Sequence, residues 1–246
     1  MTKEEVLQQC TVEGNVVKLP AVQLERKLYQ EVAKSLELIG GKWKGNKVCG
    51  FVFPEDPTEL LEQIANGEKR NLKKEFQFFG TPDALADQLV KAANIQAGNK
   101  VLEPSAGQGA IVKAINRAGI EEVFCYELMP VNKTILNKIP AVRFLGDDFL
   151  NPNGTGHLKF DRIIANPPFS KNQDIDHVRE MYNRLAPKGR LVSITSEHWN
   201  MSSNRKETDF RAWLDELDAG IFPIEKGAFK ESGTAVGGII VILDKN

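Results

Sequence analysis

The sequence predicts an α/β fold, in which helices cover both faces of a largely parallel sheet and a small N-terminal α+β domain precedes it. From residue 79 onward, short apolar runs alternate with segments of helical period. Strands and helices that alternate in this way favour a parallel sheet, because each parallel connection has to cross over the sheet. Polar residues follow several of the apolar runs, and ligands of such sheets bind outside the carboxyl ends of the strands.

Composition and charge exclude several classes of protein. The 246 residues include 32 basic and 33 acidic side chains, so the formal net charge is −1 at pH 7. This balance argues against a protein whose whole surface binds nucleic acid, although it leaves a local basic face open. The three cysteines (Cys10, Cys49 and Cys125) lie far apart, and we therefore expect no disulfide framework and no metal site.

The N-terminus and the hydropathy of the chain predict a cytoplasmic protein. The first ten residues, MTKEEVLQQC, are charged and lack the apolar core of a secretion signal. No run approaches the roughly 18 apolar residues that span a bilayer. We therefore expect no membrane partner.

Residues 1–76 are predicted to form the small N-terminal domain, and residues 77–246 the larger second domain. Residues 1–20 show no clear period and are predicted to be irregular. The predicted elements are a helix over 24–39 that ends at Gly40–Gly41, a strand over 47–53, and a short helix from Pro57 to about Gly67. A charged connector around residues 71–76 marks the boundary.

The second domain begins with a helix start at Thr81-Pro82-Asp83, which offers a hydroxyl N-cap, a proline in the first turn and then an acid. Its predicted strands cover 101–103, 123–127, 142–145, 162–166, 191–195, a short segment near Ile221, and 238–243. Later helices are predicted over about 174–186, where Pro187-Lys188-Gly189 would end the helix, and near 207–217. The segment HWNMSSNRKET (198–208) is predicted to be a polar loop, either an ordinary surface loop or one that closes over a substrate.

The first candidate site is the segment VLEPSAGQGAI, where a carboxylate and two glycines follow a strand and open a helix. The glycines allow a tight turn and a close approach of the backbone to a ligand. A dinucleotide fingerprint would have a third glycine where Val112 stands. Glu103 suits an ammonium group and the helix N-terminus suits an anion, so a zwitterionic amino-acid moiety fits both. A purely structural turn is the alternative.

Two further acids follow the next two predicted strands. Glu127 occupies the position at which an acid typically binds ribose hydroxyls, although a solvated strand end is the alternative. Asp148 can accept a hydrogen bond from the amino group of adenine, with Leu128 and Phe149 covering the faces of the ring. Three acids at successive strand ends would match an amino acid, a ribose and an adenine in a row. The sequence therefore predicts S-adenosylmethionine as the cofactor.

The second candidate site is Asn166-Pro167-Pro168-Phe169, which follows the fourth predicted strand of the second domain. Consecutive prolines make a rigid turn, in which the side-chain oxygen of Asn166 and the Pro167 carbonyl form a fixed pair of acceptors for an –NH2 group. Holding both N–H bonds restores lone-pair character to a weakly nucleophilic amine. Phe169 supplies a face for a planar substrate. A proline-rich structural turn is the alternative.

These motifs together carry a family resemblance. The segments F-F-G-T-P (78–82), E-P-S-A-G-Q-G-A (103–110), Y-E (126–127), G-D-D-F (146–149) and N-P-P-F (166–169) occur in this order. The chain thereby resembles class I S-adenosylmethionine-dependent methyltransferases, specifically DNA adenine-N6 enzymes of the γ motif order. The resemblance covers about residues 78–246. It implies a Rossmann-like, mostly parallel seven-stranded sheet with an antiparallel last strand.

The resemblance also implies roles for individual residues. The cofactor-binding residues would be Phe79, Thr81, Pro82, Glu103, Ser105, Gly107, Gly109, Glu127, Leu128, Asp148 and Phe149. The catalytic residues that position the target amine would be Asn166, Pro167, Pro168 and Phe169. Phe229 would contact the substrate. Apart from the resemblance, Trp43 and Lys171 are further candidates for substrate contact. For Phe229, which would stack on a flipped base, a packed hairpin phenylalanine is an equal alternative.

The chain departs from sequence-specific members of the family because no large target-recognition domain fits after Phe169. The material left for reading DNA is residues 1–76 and the loops near 170–174 and 198–208. Within the first of these, Lys42, Lys44 and Lys47 surround Trp43, as in a hairpin that contacts phosphates and a base. A solvated turn beside a packed tryptophan is the plainer interpretation of this segment.

The leading hypothesis is a DNA methyltransferase that flips adenine and methylates N6 with relaxed or short sequence preference. The alternatives are methylation of guanine N2 in ribosomal RNA and methylation of a glutamine side-chain amide in a protein, because all three need the same pair of acceptors. A methyltransferase-like binding module without activity is the non-enzyme alternative. The resemblance further implies a place in restriction-modification, as protection carried by a mobile element.

Overall fold

The computed structural model of the chain describes residues 1–45, 47–53, 56–71, 80–225, 227 and 237–246. The chain divides into two compact units, residues 1–78 and residues 79–246. The boundary predicted between residues 76 and 77 lies outside the described residues. In the described ranges, no helix is both long and apolar enough to cross a membrane.

The N-terminal unit is a small α+β assembly around a four-stranded antiparallel sheet, whose strand order is β1-β2-β4-β3. Its elements are α1 (Lys3–Gln8), β1 (Thr11–Glu13), β2 (Val16–Lys18), α2 (Arg26–Leu38), β3 (Lys42–Lys44), β4 (Gly50–Val52) and α3 (Thr58–Ala65). The buried side chains of Val17 and Phe51 lie on this sheet, and those of Val32 and Leu36 lie on α2. The helix predicted over 24–39 is therefore confirmed as α2.

The prediction that residues 1–20 are irregular is wrong, because three elements form there. Helix α1 begins with a capping box, in which the Thr2 hydroxyl accepts from the Glu5 N–H at 3.2 Å and the Glu5 carboxylate accepts from the Thr2 N–H at 2.9 Å. The strands β1 and β2 are joined by a tight turn at Gly14, whose φ is +61°. Elements of three to six residues are too short to show a clear period.

The second unit is a seven-stranded sheet with strand order β10-β11-β9-β8-β5-β6-β7. Its strands are β5 (Val101–Glu103), β6 (Val123–Tyr126), β7 (Val142–Gly146), β8 (Phe160–Ala165), β9 (Leu185–Ser196), β10 (Gly220–Ile224) and β11 (Gly238–Asp244). Its helices are α4 (Asp83–Ala93), α5 (Ala110–Arg117), α6 (Pro130–Leu136), α7 (Gln173–Asn183), α8 (His198–Met201) and α9 (Arg205–Glu216). Strands β5 to β9 pair in parallel, whereas β11 pairs antiparallel with both β9 and β10.

Both faces of this sheet are buried, as its sequence of apolar strands predicts. Ile164 packs in one apolar cluster with residues of α4 and α5, such as Leu89 and Ile111. The neighbouring Ile163 packs in a second cluster with residues of α7 and α9, including Met181 and Phe210. Since successive residues of a strand point to opposite faces, each of the two clusters fills one side of the sheet.

The structure corrects two predictions about the later elements. Helix α7 ends at Asn183, and β9 already begins at Leu185, so Pro187-Lys188-Gly189 lies within a strand and not at the end of a helix. The predicted polar loop over 198–208 instead contains α8 and the start of α9. Trp199 stabilises α8 there, because its buried indole N–H donates to Thr195 Oγ1 at 3.0 Å.

Candidate active site

The site lies where the strand order reverses along the sheet. Strands β5, β6 and β7 follow one another in one direction, whereas β8 pairs with the other side of β5 and β9 follows β8. The glycine turn after β5 and the Asn166-Pro167-Pro168-Phe169 turn after β8 therefore leave adjacent parallel strands, with Leu102 opposite Ile163. Crevices at such switch points are where open α/β sheets bind ligands.

The turn after β5 depends on two glycines in the left-handed region, Gly107 at φ +55° and Gly109 at φ +81°. Gly109 caps the N-terminus of α5. A Cβ at this position would lie 2.5 Å from Ile139 Cδ1 and 3.0 Å from Leu136 Cδ2. The left-handed backbone of the second glycine therefore favours glycine there, and an added methyl group would also displace the ends of these two flexible side chains.

Glu103 ends β5 as a buried carboxyl group beside this turn. Its Oε2 has no hydrogen-bond partner among the residues that the structure describes. Burial raises the pKa of Glu103 well above its usual value, and the nearby charge of Glu127 raises it further, whereas the Val112 N–H opposes the shift. A buried acceptor without a partner fits a ligand that brings its own donors, such as an ammonium group.

Glu127, just after β6, links that strand end to the glycine turn. Its Oε2 accepts from the Gly107 N–H at 2.6 Å, and its Oε1 accepts from the Met129 N–H at 2.7 Å and from Asn132 Nδ2 at 3.3 Å. Burial raises the pKa of this carboxyl, and these hydrogen bonds oppose that shift. Three of the roughly four acceptor positions of a carboxylate are used, which leaves one for a hydroxyl of a ligand.

Asn132 is a site residue that the sequence analysis did not identify. Its side chain is buried, and its Oδ1 has no hydrogen-bond partner within the described ranges. The asparagine lies in the first turn of α6, two residues after Pro130. Nothing in the local sequence distinguishes it from a surface asparagine, because the contact with Glu127 is visible only in the folded chain.

The three residues predicted to bind adenine differ in their burial and in their contacts. Asp148 accepts from the Leu150 N–H at 2.9 Å and from Asn151 Nδ2 at 3.0 Å, so it also orders its own loop. Phe149 is only 2% exposed, and its ring packs against Tyr126 and His177. Leu128 is 54% exposed. Of the two residues predicted to cover the adenine ring, Leu128 is therefore the one whose side chain is accessible to a ligand.

The turn after β8 holds Asn166 through a contact with a distant segment. Asn166 Nδ2 donates to Thr81 Oγ1 at 3.1 Å, which directs Oδ1 away from Thr81. Pro167 is buried, and the half-buried Phe169 packs against the cluster that includes Ile164. The prediction that Thr81 is the N-cap of the following helix is wrong, because Pro82 occupies the N-cap of α4 and the hydroxyl contacts Asn166 instead.

The remaining predicted residues are placed as follows. Ser105 is half-buried in the glycine turn, and Lys171 is exposed just after Phe169. Phe79 and Phe229 lie outside the described residues. Across the described ranges, no group of three or more His, Cys, Asp or Glu side chains is arranged to hold a metal ion.

Trp43 belongs to the N-terminal unit and lies on β3, which pairs antiparallel with β4. Its ring is 44% exposed and packs edge-on against Phe51, with the ring centroids 5.2 Å apart. Trp43 on β3 is paired with Phe51 on the neighbouring strand β4. Lys42 and Lys44 alternate with Trp43 along β3, so their side chains point to the other face of the sheet. The lysines and the indole therefore lie on opposite faces of the sheet and do not surround one another.

Comparison with known proteins finds methyltransferases that are similar to this chain. An uncharacterized methyltransferase of Oceanobacillus iheyensis is 22% identical over 182 residues, which cover 70% of this chain and 81% of that protein. No protein-family model matches the chain. The M protein of the type I restriction enzyme EcoKI is 16% identical with a TM-score of 0.58, and the match covers 91% of this chain and 55% of that one.

A third likeness is to a candidate RNA methyltransferase from Pyrococcus horikoshii, at 17% identity and a TM-score of 0.52, covering 69% of this chain and 88% of that one. The larger unit has the class I methyltransferase fold. The strand order, with its parallel strands and its antiparallel β11, confirms the Rossmann-like sheet that the resemblance implied. The chain spans about half the length of the EcoKI M protein, at 55%.

Proposed function

We propose that this protein transfers a methyl group from S-adenosylmethionine to the exocyclic N6 amine of adenine in DNA, after the base has been extruded from the duplex. The observation that carries the proposal is the placement of Asn166 after β8, where its side-chain amide contacts Thr81 Oγ1 at 3.1 Å. A fixed acceptor at the switch point of the sheet suits an amine that is presented to a cofactor in the neighbouring crevice.

The residues around the glycine turn fit the cofactor. Glu103 would accept from its ammonium group, because the partnerless Oε2 needs a donor. Gly107 and Gly109 would let the backbone approach the methionine moiety, and Glu127 would accept from a ribose hydroxyl. Bound there, S-adenosylmethionine supplies a methyl group on a cationic sulfur that departs as a neutral thioether.

The turn after β8 would act on the amine and not on the methyl group. Asn166 Oδ1 and the Pro167 carbonyl would each accept one N–H of the amine, which turns its lone pair toward the crevice. Phe169 would support the flat base. Asn166 is not basic, so the extra proton on the methylated nitrogen would pass to water after transfer.

The choice of DNA over RNA as the substrate is supported by the share of this chain that each structural match covers. The catalytic unit comprises residues 79–246. The match to the M protein of a restriction enzyme covers 91% of this chain and so includes part of the N-terminal unit, whereas the match to the candidate RNA enzyme covers 69%. We infer that the N-terminal unit belongs to the DNA-modifying arrangement, with Lys42 and Lys44 contacting phosphates.

Product identification tests the proposal. The full-length protein is incubated with S-adenosylmethionine carrying a labelled methyl group, in parallel with duplex DNA, ribosomal RNA and a protein extract. Digestion to nucleosides and mass spectrometry should give N6-methyldeoxyadenosine from the DNA alone. Asn166→Ala should lower that product by about 100-fold or more, because one of the two acceptors is lost from the transition state. Asn183→Ala, an exposed position at the far end of α7, is the matched control.

Other products would decide against this function. Label in N2-methylguanosine would identify an RNA enzyme, and label in a glutamine side chain would identify a protein-modifying enzyme. Tight binding of cofactor with no label in any substrate, together with an Asn166→Ala variant that keeps the biological effect, would identify a binding module.

A further inference from the structure

The turn that follows Phe169 has an unusual backbone. Lys171 (φ +55°) and Asn172 (φ +58°) are consecutive non-glycine residues in the left-handed region. Residues other than glycine rarely adopt this backbone conformation, and two in succession need stabilising contacts from outside the turn. The turn joins the amine-binding loop to α7, so its conformation determines how that loop leaves the sheet.

The stabilising contact comes from Glu207, which lies in the first turn of α9. Its buried carboxylate accepts from Asn172 Nδ2 at 2.8 Å, and Asn204 Nδ2 lies at 3.4 Å from the same oxygen. Although Asn172 is the N-cap residue of α7, its side chain makes no capping hydrogen bond. The side chain that would ordinarily serve the helix is therefore committed to Glu207.

Glu207 is itself kept in place because its helix, α9, is attached to the segment after α8. Arg211 Nη1 donates to the Ser202 carbonyl at 2.8 Å, which ties α9 to the segment after α8. His198 Nε2 lies 3.4 Å from Glu207 Oε1 on the exposed side. A second attachment lies two residues beyond Asn172, where the buried Asp174 accepts from the Ser196 N–H at 2.8 Å. The turn is thus fastened to both α9 and the end of β9.

We propose that Glu207 is a positioning residue for the transfer reaction, which holds the Lys171-Asn172 turn and thereby sets Phe169 and the acceptor pair against the target amine. The inference rests on the proposed function for its kinetic consequence. Its structural consequence, a turn that is held on the α9 side by a carboxylate 35 residues away, is independent of the substrate.

Three variants of the full chain separate a positioning role from a general structural one. Glu207→Ala should lower kcat by about 10- to 100-fold, because a small displacement of the amine-binding loop misaligns the reacting atoms. The dissociation constant of S-adenosylmethionine should stay within about twofold of the wild-type value, since the cofactor residues lie on other strand ends. Glu207→Gln keeps an oxygen acceptor for Asn172 and should retain most of the activity. Asp209→Ala removes an exposed carboxylate from the same helix and is the matched control.

Hydrogen exchange gives the readout that does not need a substrate. Amides of residues 170–174 should exchange at least about 10-fold faster in Glu207→Ala than in the wild type or in Asp209→Ala. If the wild type methylates nothing while this difference is found, the proposed function fails and the positioning of the turn stands. Unchanged exchange in Glu207→Ala, or an equal loss of kcat in Glu207→Gln and Glu207→Ala, would overturn the inference.

Discussion

Asn166 donates its side-chain amide to the hydroxyl of Thr81, a residue 85 positions earlier in the chain, at 3.1 Å. The contact brings the segment before α4 against the turn after β8. The hydrogen bond holds the side-chain amide of Asn166 at the carboxyl end of β8, with Nδ2 on the side of Thr81 and Oδ1 pointing away from it.

This relationship predicts different effects for two substitutions of Thr81. Thr81→Val removes the hydroxyl at nearly constant volume, and we expect kcat to fall about 3- to 10-fold, as for the loss of one hydrogen bond. Thr81→Ser keeps the hydroxyl and should stay within about twofold of the wild type. Steady-state kinetics on the identified substrate measures both variants. Equal kinetics of Thr81→Val and Thr81→Ser would show that the contact does not orient Asn166.

Glu127→Gln should loosen the glycine turn. A glutamine cannot accept from both the Gly107 and Met129 N–H groups, because one of its two side-chain atoms is itself a donor. We expect the free energy of unfolding to fall by about 1–3 kcal/mol and cofactor affinity to fall at least about fivefold. Denaturant titration and calorimetry measure the two effects. Glu122→Gln, an exposed acid beside Arg143, should change neither, and a similar loss in this control would refute the explanation.

Glu103 should make the unliganded protein less stable as the pH rises. Burial raises the pKa of this carboxyl well above its usual value of 4.5, so the folded chain keeps a proton that the unfolded chain has released. Stability therefore falls as the pH rises from the unfolded pKa through the folded one. Glu103→Gln should flatten this slope and stabilise the unliganded chain at neutral pH. Urea unfolding at pH 5.5 and 7.5 tests both expectations.

The same variant should bind cofactor about 10-fold or more weakly, because an ionised carboxylate is the stronger acceptor for an ammonium group. Cofactor binding to the wild type should also release protons, which calorimetry in buffers of different ionisation enthalpy detects. Binding without proton release, together with an unaltered affinity in Glu103→Gln, would mean that Glu103 does not contact the cofactor.

Gly109→Ala and Gly98→Ala form a matched pair. Both glycines have φ +81°, but a Cβ at Gly98 meets nothing within 4 Å, whereas one at Gly109 would lie 2.5 Å from Ile139 Cδ1. We expect Gly98→Ala to cost about 1–2 kcal/mol of stability from the backbone alone, and Gly109→Ala up to about 1 kcal/mol more, because the ends of the Ile139 and Leu136 side chains must shift. Chemical denaturation measures both. Equal costs would argue that the site relaxes around the added methyl group.

The lysines of β3 offer a test of the N-terminal unit. If Lys42 and Lys44 contact phosphates, the double change to alanine should weaken DNA binding uniformly across sequences. It should also make the slope of the logarithm of the binding constant against the logarithm of the salt concentration less steep, by about 0.9 for each lost contact. Fluorescence anisotropy over a salt series measures the slope. Lys27→Ala combined with Lys34→Ala, exposed on α2, is the control and should leave the slope unaltered.

Local signals made parts of the fold and site predictable from the sequence. Strand β5 covers Val101–Glu103 as predicted, because a short apolar run there is closed by an acid and two glycines. The capping box of α1 is likewise a local signal, since it needs only Thr2 and Glu5, three residues apart. The contacts of Asn166 with Thr81 and of Asn172 with Glu207 were not readable, since they join segments 85 and 35 residues apart. Burial decides such pairs, and no period or turn signal encodes them.

Strand β10 reaches the sheet only through a strand that follows it in the chain. Its described neighbour is β11, which itself lies against β9. Residues 220–224 therefore have no place to dock until residues 238–244 have arrived, and the last part of the sheet forms in an order opposite to that of synthesis. During synthesis, residues 238–244 must leave the ribosome before residues 220–224 can join the sheet, so this edge is completed only after the later strand has emerged.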